Sequence, residues 1–456
     1  MPDLTSFWLT QDGDARIALD PDTGRNPYGC PPHPDPSLLD FGSATASVIS
    51  ENAFAAADRL RRLLLPSGKA MPEAADLGRE TARLSEELLH LCGLDAGEGI
   101  RVALTASGTD AHRIASEWIW ARSASAPCIL AIEPNESGRG VPDALTAPCH
   151  GTLEPIRVRD DRGLLRAQPS VEEDMRAAAS RAWSEGRPLF VVLTDVSKTG
   201  LVAPALPALQ ELQRQTGEPV PVLVDASQFR LTPASLKTYL NQGFLVALTG
   251  SKFVGGPSFS GALLVPKNFP ASRTIPPELP LPLGQLMRWE AALAELRLFR
   301  AIPEGSVLDF FGKFASAVTA HIAGHPQLEA LPSGPPERGF AEARPGWDSV
   351  QTIFPFLLRR PDTQGGGLLT RQETLAVFRR LPDGSEPFEA GAVRGRLGQP
   401  VECGHREGKP VSALRLCLSA RHALQAAENG KGEEAVIAQA CAVLDRAAEM
   451  AGRVRA

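Results

Sequence analysis

Between residues 101 and 266 the chain repeats one pattern: a short apolar run, a stretch of helical periodicity, then another apolar run. Seven runs of strand length can be read, at 101–107, 128–133, 153–159, 189–196, 222–227, 244–250 and 261–266. Helical patterns at 109–122, 170–185, 204–215 and 232–241 lie among them. Four of the runs are almost continuously apolar, as strands are when helices cover both faces of a sheet. The alternation predicts an α/β layer on a mostly parallel, seven-stranded sheet with helices on both faces. One junction breaks the pattern. A short Gly/Pro loop, Gly255-Gly256-Pro257, joins the last two runs and is too short for a crossover helix, so that edge is expected to be antiparallel.

The flanks read differently. Upstream, 51–65 and 74–92 are expected helices, preceded by a proline-rich extended arm over 20–40. Downstream, 283–302 and 306–322 read as long helices, and 331–346 as a Gly/Pro surface loop. The remainder alternates strand and helix again at 350–358, 370–381, 413–418 and 433–453. The expected division is an N-terminal segment over 1–50 that completes a site, a large domain over 51–300 and a smaller α/β domain over 301–456.

Composition narrows the function. With 456 residues, 43% hydrophobic and 22% charged, the chain is long enough for such a plan and too apolar for disorder. A net charge of −6 suits phosphate backbones poorly, so no nucleic-acid partner is expected. No apolar run reaches the roughly 18 residues of a membrane helix, and the first residues lack the basic and apolar regions of a secretory signal. Seven cysteines without a CxxC pair argue against a disulfide framework and a zinc site, and no metal is expected. The expectation is a cytoplasmic enzyme.

Four segments carry candidate chemistry. Ser107-Gly108-Thr109 ends a strand and opens a helix, where hydroxyls and free N–H groups can hold a phosphate; an ordinary helix cap reads equally well. Asp225 ends a buried run, where open α/β sheets bind ligands. Its buried charge needs a cation or donor, and a protonated ring nitrogen, an N-cap role or a pairing arginine would each serve. Lys252, in Thr249-Gly250-Ser251-Lys252, sits at another strand end and suits a Schiff-base amine, against the alternative of a solvated surface lysine. Lys198, in Ser197-Lys198-Thr199-Gly200, lies near the same rim or is simply an exposed turn residue.

The order of these segments, phosphate cup, carboxylate, then lysine 27 positions later, resembles the class V aminotransferase family of fold-type I pyridoxal-phosphate enzymes. Asp225-Ala226-Ser227-Gln228 is similar to the family's Asp-Gly-Ala-Gln, and Thr249-Gly250-Ser251-Lys252 to its Ser-x-His-Lys. Leu39-Asp40-Phe41-Gly42-Ser43-Ala44-Thr45 looks like its Leu-Asp-Asn-Ala-Ala-Thr. The resemblance implies pyridoxal 5'-phosphate as cofactor, held by Lys252 through a Schiff base, with Asp225 on the pyridine nitrogen. It also implies Gln228 and Ser197 near the phenolic oxygen, and Ser107, Gly108, Thr109 and Thr249 or Ser251 on the phosphate. Ser43 and Thr45 would line the substrate side, Arg415 would fork the substrate carboxylate, and the assembly would be a homodimer. An ordinary strand-end role remains the alternative for Arg415.

Departures from the family pattern shape the reaction expected. No aromatic falls within Glu133-Pro134-Asn135-Glu136-Ser137, where a ring-stacking residue belongs, so Asn135 or Glu136 must cover the ring, or His150 must reach in. Cys403 is the candidate for a persulfide-carrying cysteine, with a small core residue as its alternative. A weaker likeness of the arm and of 41–50 to enzymes of lincosamide-type pathways implies an S-conjugated cysteine as the amino-acid substrate. The expected reaction is β-elimination at carbon–sulfur. The alternatives are transamination, decarboxylating oxidative deamination, and a regulatory protein that keeps the fold without the chemistry.

Overall fold

The computed structural model describes residues 4–66, 69–120, 125–216, 219–269, 279–340, 345–361, 366–383, 393–428 and 431–454. Twelve strands run through them: β1 (Leu39–Phe41), β2 (Arg101–Thr105), β3 (Cys128–Ile132), β4 (Thr152–Ile156), β5 (Leu189–Thr194), β6 (Val222–Ala226), β7 (Leu245–Thr249), β8 (Gly261–Val265), β9 (Leu328–Ala330), β10 (Ile353–Leu358), β11 (Gly395–Arg406) and β12 (Lys409–Cys417).

Seven of them form one sheet in the order β2-β8-β7-β6-β5-β3-β4. β3 to β7 are mutually parallel, and β8 is antiparallel to both of its neighbours. The antiparallel junction is therefore present, but β8 is an interior strand. The edge is β2, which starts at exposed Arg101, while all five residues of β8 are buried. Gly261 makes this possible: a Cβ there would sit 2.3 Å from the Ser107 backbone. The helices Gly108–Trp120, Gln168–Ser184, Leu206–Thr216 and Pro233–Asn241 occupy the expected positions, residues 121 and 122 lying outside the described residues.

Register decides where the chemistry goes. Thr194 pairs with Asp225, and Asp225 with Ala247, so the carboxyl ends of β5, β6 and β7 share one rim. Ligands bind at that rim in open sheets of this kind.

A second sheet, β1-β11-β12-β10-β9, is antiparallel except where β1 joins it in parallel beside β11. The first fifty residues thus supply a strand to the C-terminal sheet. β9 and β11 are strands the periodicity does not show; β11 reads Gly-Arg-Leu-Gly-Gln-Pro and shifts register between Gly398 and Val401. That bulge turns Gln399 and Pro400 toward the rim of the large sheet. The helix Leu283–Arg300 is buried along nearly its whole length beside Glu51–Leu64 and Ala74–Leu91. The described part of 331–346 is irregular, no described helix is long and apolar enough to cross a membrane, and all seven cysteines are free thiols.

Candidate active site

The loops after β2, β3, β5, β6 and β7 meet β12 and the β11 bulge around a cavity of about 500 Å³. Lys252 stands three residues beyond β7 in its wall. Burial, helped by the charges of Arg415 and Arg230, pushes its amine down to about 8 against the pull of Asp225. Near neutral pH that leaves about 300-fold more free amine than an ordinary lysine at 10.5. Trapping of an aldehyde at Lys252 by borohydride, read by peptide mass, should therefore rise with pH through about 8 and level off above it. Arg415→Met should move this midpoint upward, because a like charge is lost.

Asp225 ends β6 with Oδ1 hydrogen-bonded and Oδ2 beside an imidazole. Oδ1 accepts from the Ser227 amide at 3.1 Å and the Ser227 hydroxyl at 2.5 Å, and Oδ2 lies 3.3 Å from His112 Nε2. Burial opposes the charge, yet His112, Lys252 and Ser227 outweigh it and hold the group well below the usual carboxylate range. His112 is buried and was not singled out by sequence reasoning. One helical turn after Gly108, it sets Nδ1 2.7 Å from the Gly108 carbonyl, which fixes that nitrogen as the proton bearer and aims Nε2 at Asp225. Burial alone would lower its pKa; Asp225 reverses this and raises it.

The phosphate cup and the helix cap turn out to be the same object. Ser107 Oγ accepts from the Asp110 amide at 3.2 Å and donates to its carboxylate at 2.8 Å. Gly108 is pressed so near β6 and β7 that a Cβ would lie 2.9 Å from Thr249 Cγ2 and 3.1 Å from Ser227 Oγ. Thr109 and Ser251 line the same wall, where the positive end of the helix that begins at Gly108 favours an anion. Thr249 Oγ1 itself donates to the Ser227 carbonyl at 2.6 Å. Gln228 also lines the cavity; its Nε2 donates to Ala44 O at 3.1 Å, and its buried Oε1 has no protein partner.

Arg415 projects from β12 and is 2% exposed. Its hydrogen bonds go to the carbonyls of Gln399 and Lys198 and to Thr45 Oγ1, with no carboxylate at ion-pair distance among the described residues. One N–H and the whole positive charge are left over for a ligand.

Other candidates are placed differently. Ser43 is buried away from the cavity, donating to Leu418 O and accepting from Arg230. Ser197 lines the cavity, but its hydroxyl proton goes to Glu136 at 2.7 Å. Glu136 cannot cover a ring, because its carboxylate is locked onto Arg159 at 2.7 Å and onto Thr199. His150 is exposed at the end of a short turn with φ 50° and does not reach the cavity; Asn135 does, from its mouth. Cys403 packs in a small apolar cluster with Leu331, Leu357 and Ala413, and burial pushes its thiol up to about 11. It is a core residue within strand β11, not a thiol on a loop.

The N-terminal segment supplies residues no motif marks. Arg16, Pro27 and Tyr28 line this chain's own cavity, with Tyr28 6.1 Å and the Arg16 guanidinium 5.4 Å from the Phe259 ring. Phe259, Val196 and Phe229 have φ of 72°, 62° and 55°, so strained non-glycine backbone gathers at this rim.

No family model matches the chain, and no curated protein matches it. Solved structures do. The cystine C–S lyase C-DES, in complex with its reaction product cysteine persulfide, superposes with TM-score 0.57 at 15% identity, covering 89% of this chain and 97% of that one. The chain adopts the type I fold of pyridoxal-phosphate enzymes. A NifS-like protein shares the fold at TM-score 0.54 and 11% identity over 90% of this chain and 99% of that one. The cysteine desulfurase CsdA from Escherichia coli does so at 0.53 and 13%, over 91% and 95%. In the type I fold seen here, both sheets contribute to the cavity.

Proposed function

We propose that the protein is a pyridoxal-phosphate-dependent lyase cleaving the Cβ–S bond of an S-substituted cysteine, of the kind processed in specialised metabolism. One observation carries the reading: a buried lysine with its amine lowered to about 8, a buried carboxylate held anionic and an arginine without an acid partner among the described residues converge on one cavity. The residues fit the cofactor. The Gly108 cradle suits its phosphate, Asp225 its ring nitrogen, and the orphaned Oε1 of Gln228 a nearby N–H or O–H.

Bound there, pyridoxal phosphate supplies an aldehyde for amines and a protonated ring that draws electrons from the substrate's Cα. The chain's residues do the rest. Lys252 holds the cofactor and, once released, takes the Cα proton on Nζ. Asp225, oriented by Ser227 and His112, keeps the ring nitrogen protonated. Arg415 receives the α-carboxylate on its free N–H, which fixes the orientation of the Cα bonds. With Cys403 buried in the core, no loop thiol at that position is placed to accept sulfur, which favours departure of the substituent as a thiol. Elimination followed by addition of water yields the thiol, pyruvate and ammonium. A cytoplasmic homodimer belongs to this reading.

Incubating the coloured holoprotein with an S-alkylcysteine tests it. Thiol and pyruvate in equal amounts are expected. A 2-oxo acid that retains the sulfur substituent, with aminated cofactor, would indicate a transaminase. A protein that stays colourless with the cofactor would reject the enzyme reading.

A further inference from the structure

The cavity has no charge to spare for a sulfur substituent. A cofactor phosphate and one substrate carboxylate match Lys198, Arg139 and Arg415, the lining cations that lack an acid partner among the described residues. Arg16 is neutralised by Asp14, whose two oxygens accept from its Nε at 2.9 and 2.8 Å. Around Arg16 the lining is Pro27, Tyr28 and Phe259.

The Tyr28 ring is held in that wall by its own backbone. Asn26 Oδ1 accepts from the Tyr28 amide at 3.0 Å and from the Cys30 amide at 3.1 Å, closing a tight turn in which Gly29 has φ 77°. Two sides anchor the turn. Arg396, buried on β11 and paired with Asp40 at 2.7 Å, donates from Nη2 to the Tyr28 carbonyl at 3.2 Å. Asn26 Nδ2 donates to Ser258 Oγ at 3.4 Å, next to Phe259, and the Tyr28 hydroxyl accepts from Arg16 Nη1 at 3.3 Å. Phe259 keeps a φ of 72°, a conformation that glycine would adopt without strain. Arg288, buried in the helix Leu283–Arg300, donates from Nε to the Phe259 carbonyl at 2.9 Å. Its Nη atoms meet the carbonyls of Leu9, Gln11 and Asp12 at 3.2, 2.6 and 2.9 Å. One buried cation thus fixes the strained residue and the N-terminal segment to the same helix. The loop already contains Gly255, Gly256 and Gly261, yet it carries a phenyl ring at its strained position, so the strain serves the ring.

We propose that Tyr28, backed by Phe259, is the wall that receives the sulfur substituent, and that the substrate is a cysteine whose sulfur carries an uncharged aromatic group. The assignment rests on the reading of Arg415 as the α-carboxylate site. An aromatic substituent gains both burial and an offset or edge-on ring contact there. Its test needs no turnover. 5-Phenylpentanoate has the skeleton of S-benzylcysteine with carbon in place of sulfur and without the amine; pentanoate has that of S-methylcysteine. By calorimetric titration of the purified protein loaded with cofactor, 5-phenylpentanoate should bind about 100-fold more tightly than pentanoate, as burial of one ring gives. Tyr28→Ala should cut that ratio about tenfold, and Tyr28→Phe, which keeps the ring and loses the hydroxyl, should retain it. Cofactor absorbance should persist in both variants, and circular dichroism checks that each is folded. A native ratio near one, a ratio that survives Tyr28→Ala, or loss of cofactor absorbance in that variant would overturn the assignment. The two readings fail separately. A protein that prefers the phenyl acid through Tyr28 but frees no thiol from S-benzylcysteine keeps the wall and loses the lyase, and one that frees thiol without the preference does the reverse.

Discussion

Replacing Lys252 with alanine is expected to lower turnover of an S-alkylcysteine on the order of 10⁴-fold and to abolish borohydride-fixed cofactor at that position. The substitution removes a nucleophile and a proton carrier together, and nothing else in the cavity substitutes for both. Lys198 has an amine depressed to about 8 as well, but it is directed at the Pro134 and Asn135 carbonyls. The fold should survive, because the local turn depends on the Lys252 carbonyl, which accepts from Ser47 Oγ at 2.9 Å and the Gly255 amide at 3.1 Å. Asp225 should also stay ionised, since His112 and Ser227 remain. Steady-state rates with matched melting temperatures separate these effects. Turnover within tenfold of the native rate would assign the chemistry to another amine.

The reason Lys252 and Asp225 could be read from the amino-acid order is local. Asp225 directly follows the apolar run Val222 to Val224, and Lys252 lies in the short loop after the run Leu245 to Leu248; a charged residue at the end of such a run sits at the rim of a buried sheet. Arg415 is named only through the family resemblance, because a strand arginine within the apolar β12 carries no local mark of a ligand. Where the signal is non-local, reading fails. His112 belongs to the polar first turn of an ordinary helix, and only packing of that helix against the end of β6 makes it the partner of Asp225. Ser43 lies two residues from Thr45 and shares its motif, but the tight turn closed by the Thr45 amide on the Gly42 carbonyl sends Ser43 inward to Arg230. β11 hides because its glycines, proline and bulge erase the period of two, and with it went Gln399 and the true setting of Cys403. The antiparallel loop at Gly255 was legible, whereas the position of β8 inside the sheet required knowing that Gly261 lets it approach the end of β2.

Asp225→Asn should separate charge from shape. Asparagine keeps the size of the side chain and can still accept from the Ser227 amide, and its amide N–H can face His112 Nε2 across the 3.3 Å now spanned by an ion pair. The charge, however, is gone, and His112 then has no reason to hold a second proton, because burial alone lowers its pKa. Without that charge the ring nitrogen loses the group that would keep it protonated, so turnover should fall by on the order of 10³-fold, equivalent to about 4 kcal/mol in the barrier. Cofactor should still be trapped at Lys252, whose amine drops further once the pull of Asp225 is removed. Stability reports the same pair with a definite sign. The depressed carboxyl of Asp225 contributes above its unfolded value near 3.8 and loses that contribution as pH falls through its folded value; the raised imidazole of His112 contributes below its unfolded value near 6.5 and loses it as pH rises through its folded value. The melting advantage of the native protein over Asp225→Asn should therefore be greatest between those two unfolded values and shrink on either side. An advantage that does not shrink as pH rises above this window would show that His112 stays neutral beside Asp225, and the electrostatic support assigned to the pair would have to be withdrawn.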